Sequence, residues 1–292
     1  MENPAHLSLL TDTGLKVHAL AYGDRSRPVV LMLHGFPELS ASWLEVMPYL
    51  RDAGFYVVAP DLRGYGGTDK PESGYDIDTL ALDVVKMIDQ LGRDRVHLVG
   101  HDWGGAIAYH VAAHFPDRVE SLSVVNCPHP ALMAKKMWKP SQLRRSWYMF
   151  FFQVPLLPEY ALSREGGALV PRMLRSAAVD KRHFTRERLK PYAQNFSNRD
   201  TARAAVSYYR EMFKNGLSPR GLLKFARYPK IKAPFRLIWG EEDVALGKEL
   251  TFGMEPYFEQ QPEVKYLSGV GHFSTIEAPE KVGPLIVEHV LS

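Results

Sequence analysis

Short aliphatic runs alternate with longer amphipathic stretches from the N-terminus onward, stop at Pro128-His129-Pro130, and resume only at Pro234. The runs Pro28-Val-Val-Leu-Met-Leu33, Phe55-Tyr-Val-Val-Ala59, Arg95-Val-His-Leu-Val-Gly100 and Val119 to Asn126 are aliphatic and β-branched nearly throughout. Unbroken apolar runs of this length, closed by Gly, Pro or Asp, suit strands buried on both faces. Between Asp76 and Leu91, apolar Leu80, Val84, Met87, Ile88 and Leu91 recur at helical spacing, which predicts a helix with Asp78 as N-cap and Gly92 past its end. Gly104 to Phe115 predicts a second helix. Strand and helix in regular succession imply an α/β fold around a mostly parallel sheet.

From Pro130 to about Tyr228 the pattern is basic, aromatic and helical, with no convincing strand. Residues 131–227 carry 20 Lys and Arg against 6 Asp and Glu, a net +14, whereas the rest of the chain carries 16 against 27, a net −11. The total of +3 hides this division. Strands then reappear at Pro234 to Gly240 and Val264 to Leu267, followed by an amphipathic stretch from Pro279 to Leu291. The expected organisation is one sheet domain, residues 1–130 and 229–292, interrupted by a helical cap over 131–228.

Composition removes several classes. With 46% hydrophobic and 24% charged residues, the chain is neither disordered nor collagenous. No run approaches the 18 apolar residues of a membrane span, and Met1-Glu2-Asn3-Pro4 lacks the basic start of a signal peptide. A cytoplasmic protein is expected. The single cysteine, Cys127, excludes internal disulfides and reads as a packed residue at a strand end. Gly64-Tyr-Gly-Gly67 lacks dinucleotide-binding spacing and no P-loop is present, so neither nucleotide nor nucleic-acid binding is expected. No metal-ligand spacing is visible.

Chemistry concentrates at Gly100-His101-Asp102-Trp103-Gly104-Gly105, where a predicted strand hands over to a predicted helix. Glycines flanking a central side chain permit a sharp turn that presents that side chain at the sheet edge, near a helix N-terminus. Asp102 reads there as a nucleophile or, more plainly, as a cap for the next helix. Asp243 follows the strand ending at Gly240, and His272 follows the last predicted strand. Nucleophile, acid and histidine thus occur in the chain order of a nucleophile-first triad, all at one sheet edge.

These residues resemble the α/β-hydrolase fold and, within it, the epoxide hydrolases. His34-Gly35-Phe36-Pro37 is similar to the family's oxyanion-loop motif, Asp61-Leu-Arg-Gly-Tyr-Gly-Gly-Thr68 to its stretch after the following strand, and Gly100 to Gly105 to its nucleophile elbow. In the cap, Ser146-Trp-Tyr148 through Pro155 and Ser207-Tyr-Tyr209-Arg210 resemble the segments that supply ring-opening tyrosines. The resemblance covers nearly the whole chain. It implies Asp102 as nucleophile, Asp243 as acid, with Glu241 and Glu242 as near rivals, His272 as base, and Tyr209 and Tyr148 as ring-opening phenols. One branch of the family places the first tyrosine where this chain has Phe151. The resemblance further implies that the N–H groups of Phe36 and Trp103 form an oxyanion hole. Phe36, Pro37, Trp103, Met149 and Phe152 would then contact substrate, and His34 would shape the loop.

The implied reaction converts an epoxide and water to a vicinal diol with no cofactor, and leaves room for a homodimer. Two other functions stay open. Dehalogenases of the same fold share the Asp102-Trp103 pair, but this chain has Phe36, Tyr148 and Met149 where their halide donors stand. A non-catalytic protein binding a ligand under its cap is the other. The basic segment reads either as a solvated surface or as a device steering anionic substrates such as fatty-acid epoxides.

Overall fold

The computed structural model describes residues 4–216, 218, 221, 223 and 227–292. Eight strands form one sheet: β1 Ala5–Leu10, β2 Lys16–Tyr22, β3 Val29–Leu33, β4 Tyr56–Pro60, β5 Val96–His101, β6 Val119–Val125, β7 Phe235–Gly240 and β8 Glu263–Leu267. Their order is β1-β2-β4-β3-β5-β6-β7-β8. The β1–β2 and β2–β4 pairs are antiparallel, and all pairs from β4–β3 to β7–β8 are parallel. This is the α/β-hydrolase fold.

The strand sequences divide their side chains between two cores. In β3, Val29, Leu31 and Leu33 join one cluster while Val30 and Met32 join the other. That period-two split is what a strand covered on both faces produces. Helices α1 (Met47–Asp52) and α12 (Pro279–Val290) contribute to the second cluster, α2 (Ile77–Gln90) and α3 (Trp103–His114) to the first.

Between β6 and β7 the chain runs through seven helices among the described residues: α4 Pro130–Lys136, α5 Pro140–Arg145, α6 Trp147–Phe151, α7 Leu157–Gly167, α8 Leu169–Ala177, α9 Arg186–Phe196 and α10 Arg199–Gly216. Among the described residues no strand interrupts them. The end of the expected cap, at 217, 219, 220, 222 and 224–226, lies outside the described residues.

Two details correct the sequence reading. The N-cap of α2 is Asp76, whose carboxylate accepts from the Thr79 N–H at 3.0 Å; Asp78 sits in the first turn instead. The β1–β2 hairpin is absent from the aliphatic runs of the sequence, because β1 is mostly exposed and β2 is broken by His18 and short alanines. Helix α11 (Ser274–Glu277) follows the last strand. Among the described residues, no helix is long and apolar enough to cross a membrane, and no group of three or more His, Cys, Asp or Glu is placed to hold a metal ion.

Candidate active site

Parallel strands deliver their C-terminal ends to one edge of the sheet, and the chain places its polar residues there. Leu33 lies beside Gly100 and His101 beside Val125 in the sheet register. The residues just past those ends are Gly35 and Phe36, Asp102, and Asn126, with Asp243 and His272 following β7 and β8.

The turn at the end of β5 is sharp. Asp102 has φ 48° and ψ −119°, a conformation costly for a residue with a Cβ. It is held by close packing on either side: a Cβ on Gly100 would lie 2.4 Å from the Gly104 carbonyl oxygen, and one on Gly104 would lie 2.2 Å from that of Leu33. Only glycine fits at both places, so the strained carboxylate is aimed out of the edge by the backbone around it.

Asp102 is partly buried, and its two oxygens are distinct. Oδ1 accepts the Phe36 N–H at 2.9 Å. Oδ2 lies 3.6 Å from Nε2 of His272. Burial would raise the Asp102 pKa, but His272, His101 and the Phe36 N–H outweigh it and hold the carboxyl below its ordinary value. The nucleophile candidate is ionised at neutral pH.

His272 is buried, with Nδ1 2.7 Å from Asp243 Oδ2. Burial opposes a charge on the ring, but Asp243 and Asp102 together raise the His272 pKa well above its usual value. Asp243 is anchored on every side. Its Oδ1 accepts the Ala245 and Leu246 N–H groups, each at 2.8 Å, and its Oδ2 also accepts Asn126 Nδ2 at 2.8 Å. Of the rival acids, Glu241 pairs with Lys248 and Glu242 is exposed.

Residues that sequence reasoning passed over hold this constellation. Glu38, fully buried, accepts the Gly35 N–H at 3.0 Å and lies 2.6 Å from His101 Nδ1. His101 Nε2 donates to the backbone oxygen of His272 at 2.9 Å, with the proton placed there by the acceptor it faces. Glu38 and His101 thus tie the loop after β3, the elbow and the histidine loop together. Asn126, at φ 43°, accepts from the Gly240 N–H and the Ser274 hydroxyl. His101 lies inside the Gly100–Gly105 elbow and Glu38 directly follows His34-Gly35-Phe36-Pro37, but their pairing spans 63 positions and is invisible without the fold. His34 packs edge-on against Tyr65 and accepts the Leu62 N–H, a structural role as expected.

The inserted helices close the site. Tyr209 of α10 is buried, its ring meeting Phe36 at 5.4 Å, Trp103 at 5.3 Å, Phe152 at 5.0 Å and Tyr148 at 5.8 Å between centroids. Burial pushes both the Tyr209 and Tyr148 phenols well up, and the Asp102 charge pushes them further. The adjacent Tyr208 is committed elsewhere, donating to the Arg63 carbonyl at 2.7 Å. Arg145 of α5 donates to the Asp243 carbonyl at 2.6 Å, a direct tie from inserted helices to sheet.

A cavity of about 410 Å³ opens on Asp102. Trp103, Met149 and Tyr209 line it, together with Met133, Met137 and Met212, which the sequence did not single out. Phe36, Phe152 and Tyr148 are outside the lining and form an aromatic wall around Tyr209. Pro37, joined to Phe36 by a cis bond, is buried and also outside it.

Comparison with known proteins identifies the family. Residues 28–279 match the α/β-hydrolase fold family. The chain is 32% identical over 284 residues to "Epoxide hydrolase 4" of Mus musculus, covering 95% of this chain and 77% of that protein. It is also 32% identical to "AB hydrolase superfamily protein YfhM" of Bacillus subtilis (strain 168), with 95% of each covered. The Bacillus megaterium epoxide hydrolase, solved with an inhibitor, superposes with a TM-score of 0.88 at 26% identity, over 99% of this chain and 100% of that one. By sequence and by fold, the chain belongs to the epoxide hydrolase family of the α/β-hydrolase fold.

Proposed function

We propose that the protein hydrolyses epoxides to vicinal diols through an ester on Asp102, under a cap formed by the inserted helices. The observation that carries this reading is the split role of the Asp102 oxygens. Oδ1 is held by the Phe36 N–H, which leaves Oδ2, on the His272 side, as the attacking atom. In the first step Oδ2 bonds an epoxide carbon, the carbon–oxygen bond of the ring breaks, and the departing oxygen takes a proton from Tyr209 or Tyr148. Negative charge moves from Asp102 to that oxygen, toward the phenols.

Ester formation also prepares the second step. Asp102 loses its charge, and with it goes one of the two influences that keep the His272 proton in place. Neutral His272, still oriented by Asp243, takes a proton from water, and the resulting hydroxide adds to the ester carbonyl carbon. The oxyanion forms on Oδ1, where the Phe36 N–H already points, and the Trp103 N–H at the first turn of α3 is free of helical partners to join it. Collapse breaks the bond between that carbon and Oδ2; the departing oxygen takes the proton that His272 received from water, and the acid proton left on Asp102 restores the phenol that opened the ring, so the diol leaves with an oxygen from the protein.

The cavity favours apolar, uncharged epoxides. Four methionines give it adaptable walls. Asp76, Asp78 and Glu211 also line it, and among the described residues no Lys or Arg does. The basic character of residues 131–227 therefore belongs to the surface, which speaks against steering of carboxylate substrates. Dehalogenation is not favoured, since Phe36 and Met149 offer no side-chain donor to a halide.

The test is a single turnover in oxygen-18 water. The first diol is expected to carry unlabelled oxygen and the Asp102 peptide to gain one heavy oxygen; label appearing in the first diol instead would mean direct attack by water. Glu38 is proposed to hold the loop that carries Phe36. Glu38→Ala strands His101 inside the protein, and losing one partner of a buried pair costs about 3 kcal/mol or more. A clear drop in melting temperature and slower ester hydrolysis are expected, with Glu38→Gln recovering much of the stability; an Ala variant with unchanged melting and turnover would remove Glu38 from this role.

A further inference from the structure

Among the described residues, seven of the seventeen exposed large apolar side chains fall between Trp138 and Tyr160: Trp138, Trp147, Phe150, Val154, Leu156, Leu157 and Tyr160. Val154-Pro155-Leu156-Leu157 is four consecutive exposed apolar residues at the turn between α6 and α7. Leu156, 73% exposed, has φ 64°, a left-handed conformation that a leucine adopts only under constraint.

The constraint comes from behind the turn. The Arg210 guanidinium donates to the Phe152 carbonyl at 3.0 Å, the Val154 carbonyl at 2.9 Å and the Glu159 carboxylate at 2.6 Å. One buried-side cation thus clamps both ends of the loop, and the leucines are presented on a prepared tip. Ordering an apolar tip toward water brings no stability to the isolated protein, which points to something that covers it.

Charge decides what that is. From Trp138 to Arg164 the chain has the cations Lys139, Arg144, Arg145 and Arg164, all exposed, and a single carboxylate, Glu159, which is buried against Arg210. Arg164 lies over the Tyr160 ring and pairs with Glu165 just beyond. A second copy meeting this face about a two-fold axis would set these cations against one another. Exposed tryptophan, phenylalanine and leucine interspersed along one segment with exposed Lys and Arg instead suit an anionic lipid surface, where the apolar tip enters the acyl boundary and the cations meet headgroups.

We infer that this face docks the protein on anionic bilayers. The patch borders the cavity: Phe150 packs on Phe213 at 5.3 Å, and Phe213 and Met149 both line the cavity next to Asp102. Docking would bring the cavity close to lipophilic molecules dissolved in the bilayer. The inference stands apart from the catalytic reading, because it is tested by binding.

The experiment is co-sedimentation of the full chain with vesicles of phosphatidylcholine alone or mixed with phosphatidylglycerol. Binding to the mixed vesicles, weakened by salt, is expected, with little on phosphatidylcholine alone. Leu156→Ser/Leu157→Ser should lower the partition coefficient by about tenfold per leucine. Lys139→Glu/Arg144→Glu should lower it by about fivefold or more per residue. Both variants should keep wild-type melting and wild-type turnover of a water-soluble epoxide. Three results would overturn the inference: no binding to the mixed vesicles, binding that neither variant weakens, or a solution dimer that the leucine variant dissociates. The last would assign the patch to a second copy of the chain.

Discussion

Replacement of His272 by Gln is expected to leave ring opening in place and arrest the protein at the ester. Under excess substrate, the Asp102 peptide should gain the mass of one substrate molecule, while steady turnover falls by a factor of about 10² to 10⁴, the usual worth of a positioned base. Glutamine can still reach toward Asp243, but it has no nitrogen that accepts a proton from water. The wild-type pH dependence follows from the same ring. Asp243 and Asp102 raise the His272 pKa against the effect of burial. In the ester Asp102 is neutral, so the histidine releases its proton at lower pH than in the resting protein. Ester hydrolysis should therefore be lost as pH falls through that lowered value and be complete above it. An unmodified Asp102 in the glutamine variant, seen by mass spectrometry after long exposure to substrate, would end the two-step scheme.

The second large effect belongs to the phenols. Tyr148→Phe/Tyr209→Phe should slow formation of the ester by about 10² to 10⁴, because the departing oxygen then leaves without a proton donor. Each single change should cost less than both together, and Tyr148→Phe the least, because Tyr209 lines the cavity while Tyr148 packs against Tyr209 from outside the lining. Burial and the Asp102 charge hold both phenols well above their ordinary pKa, so each keeps its proton through neutral pH and has one to donate. Rapid-mixing measurement of the alkylation rate checks this directly. If the double variant alkylates Asp102 at the wild-type rate, the phenols have no part in ring opening and some other group protonates the oxygen.

Legibility in the sequence followed burial and locality. Strands β3 to β7 could be placed to within a residue or so because they are covered by helices or neighbouring strands and must be apolar along most of their length, whereas β8, at the far edge of the sheet and only partly buried, kept Val264 and Leu267 as its signal. β1 is the mostly exposed edge strand, and β2, though largely buried, is interrupted by His18 and built around Ala19 and Ala21, so neither left an aliphatic run to read. Asp76 and Asp78 are two residues apart and equally suited to capping, so only the backbone turn at Asp76 separates them. Tyr208 and Tyr209 are neighbours on one helix; rotation about the helix axis sends one to the Arg63 carbonyl and the other to the Asp102 side of the cavity.

The order of Asp102, Asp243 and His272, the glycines around the elbow and the interrupted β/α rhythm are properties of the sequence alone, because each rests on local backbone geometry or on burial of consecutive residues. The tertiary structure decided the rest. It set Oδ1 against the Phe36 N–H and Oδ2 toward His272, joined Glu38 to His101, and turned the basic character of residues 131–227 outward while acidic and apolar side chains line the cavity. Those outcomes depend on groups brought together from distant parts of the chain, and the electrostatics of a site follow distance in space, which separation along a sequence does not record.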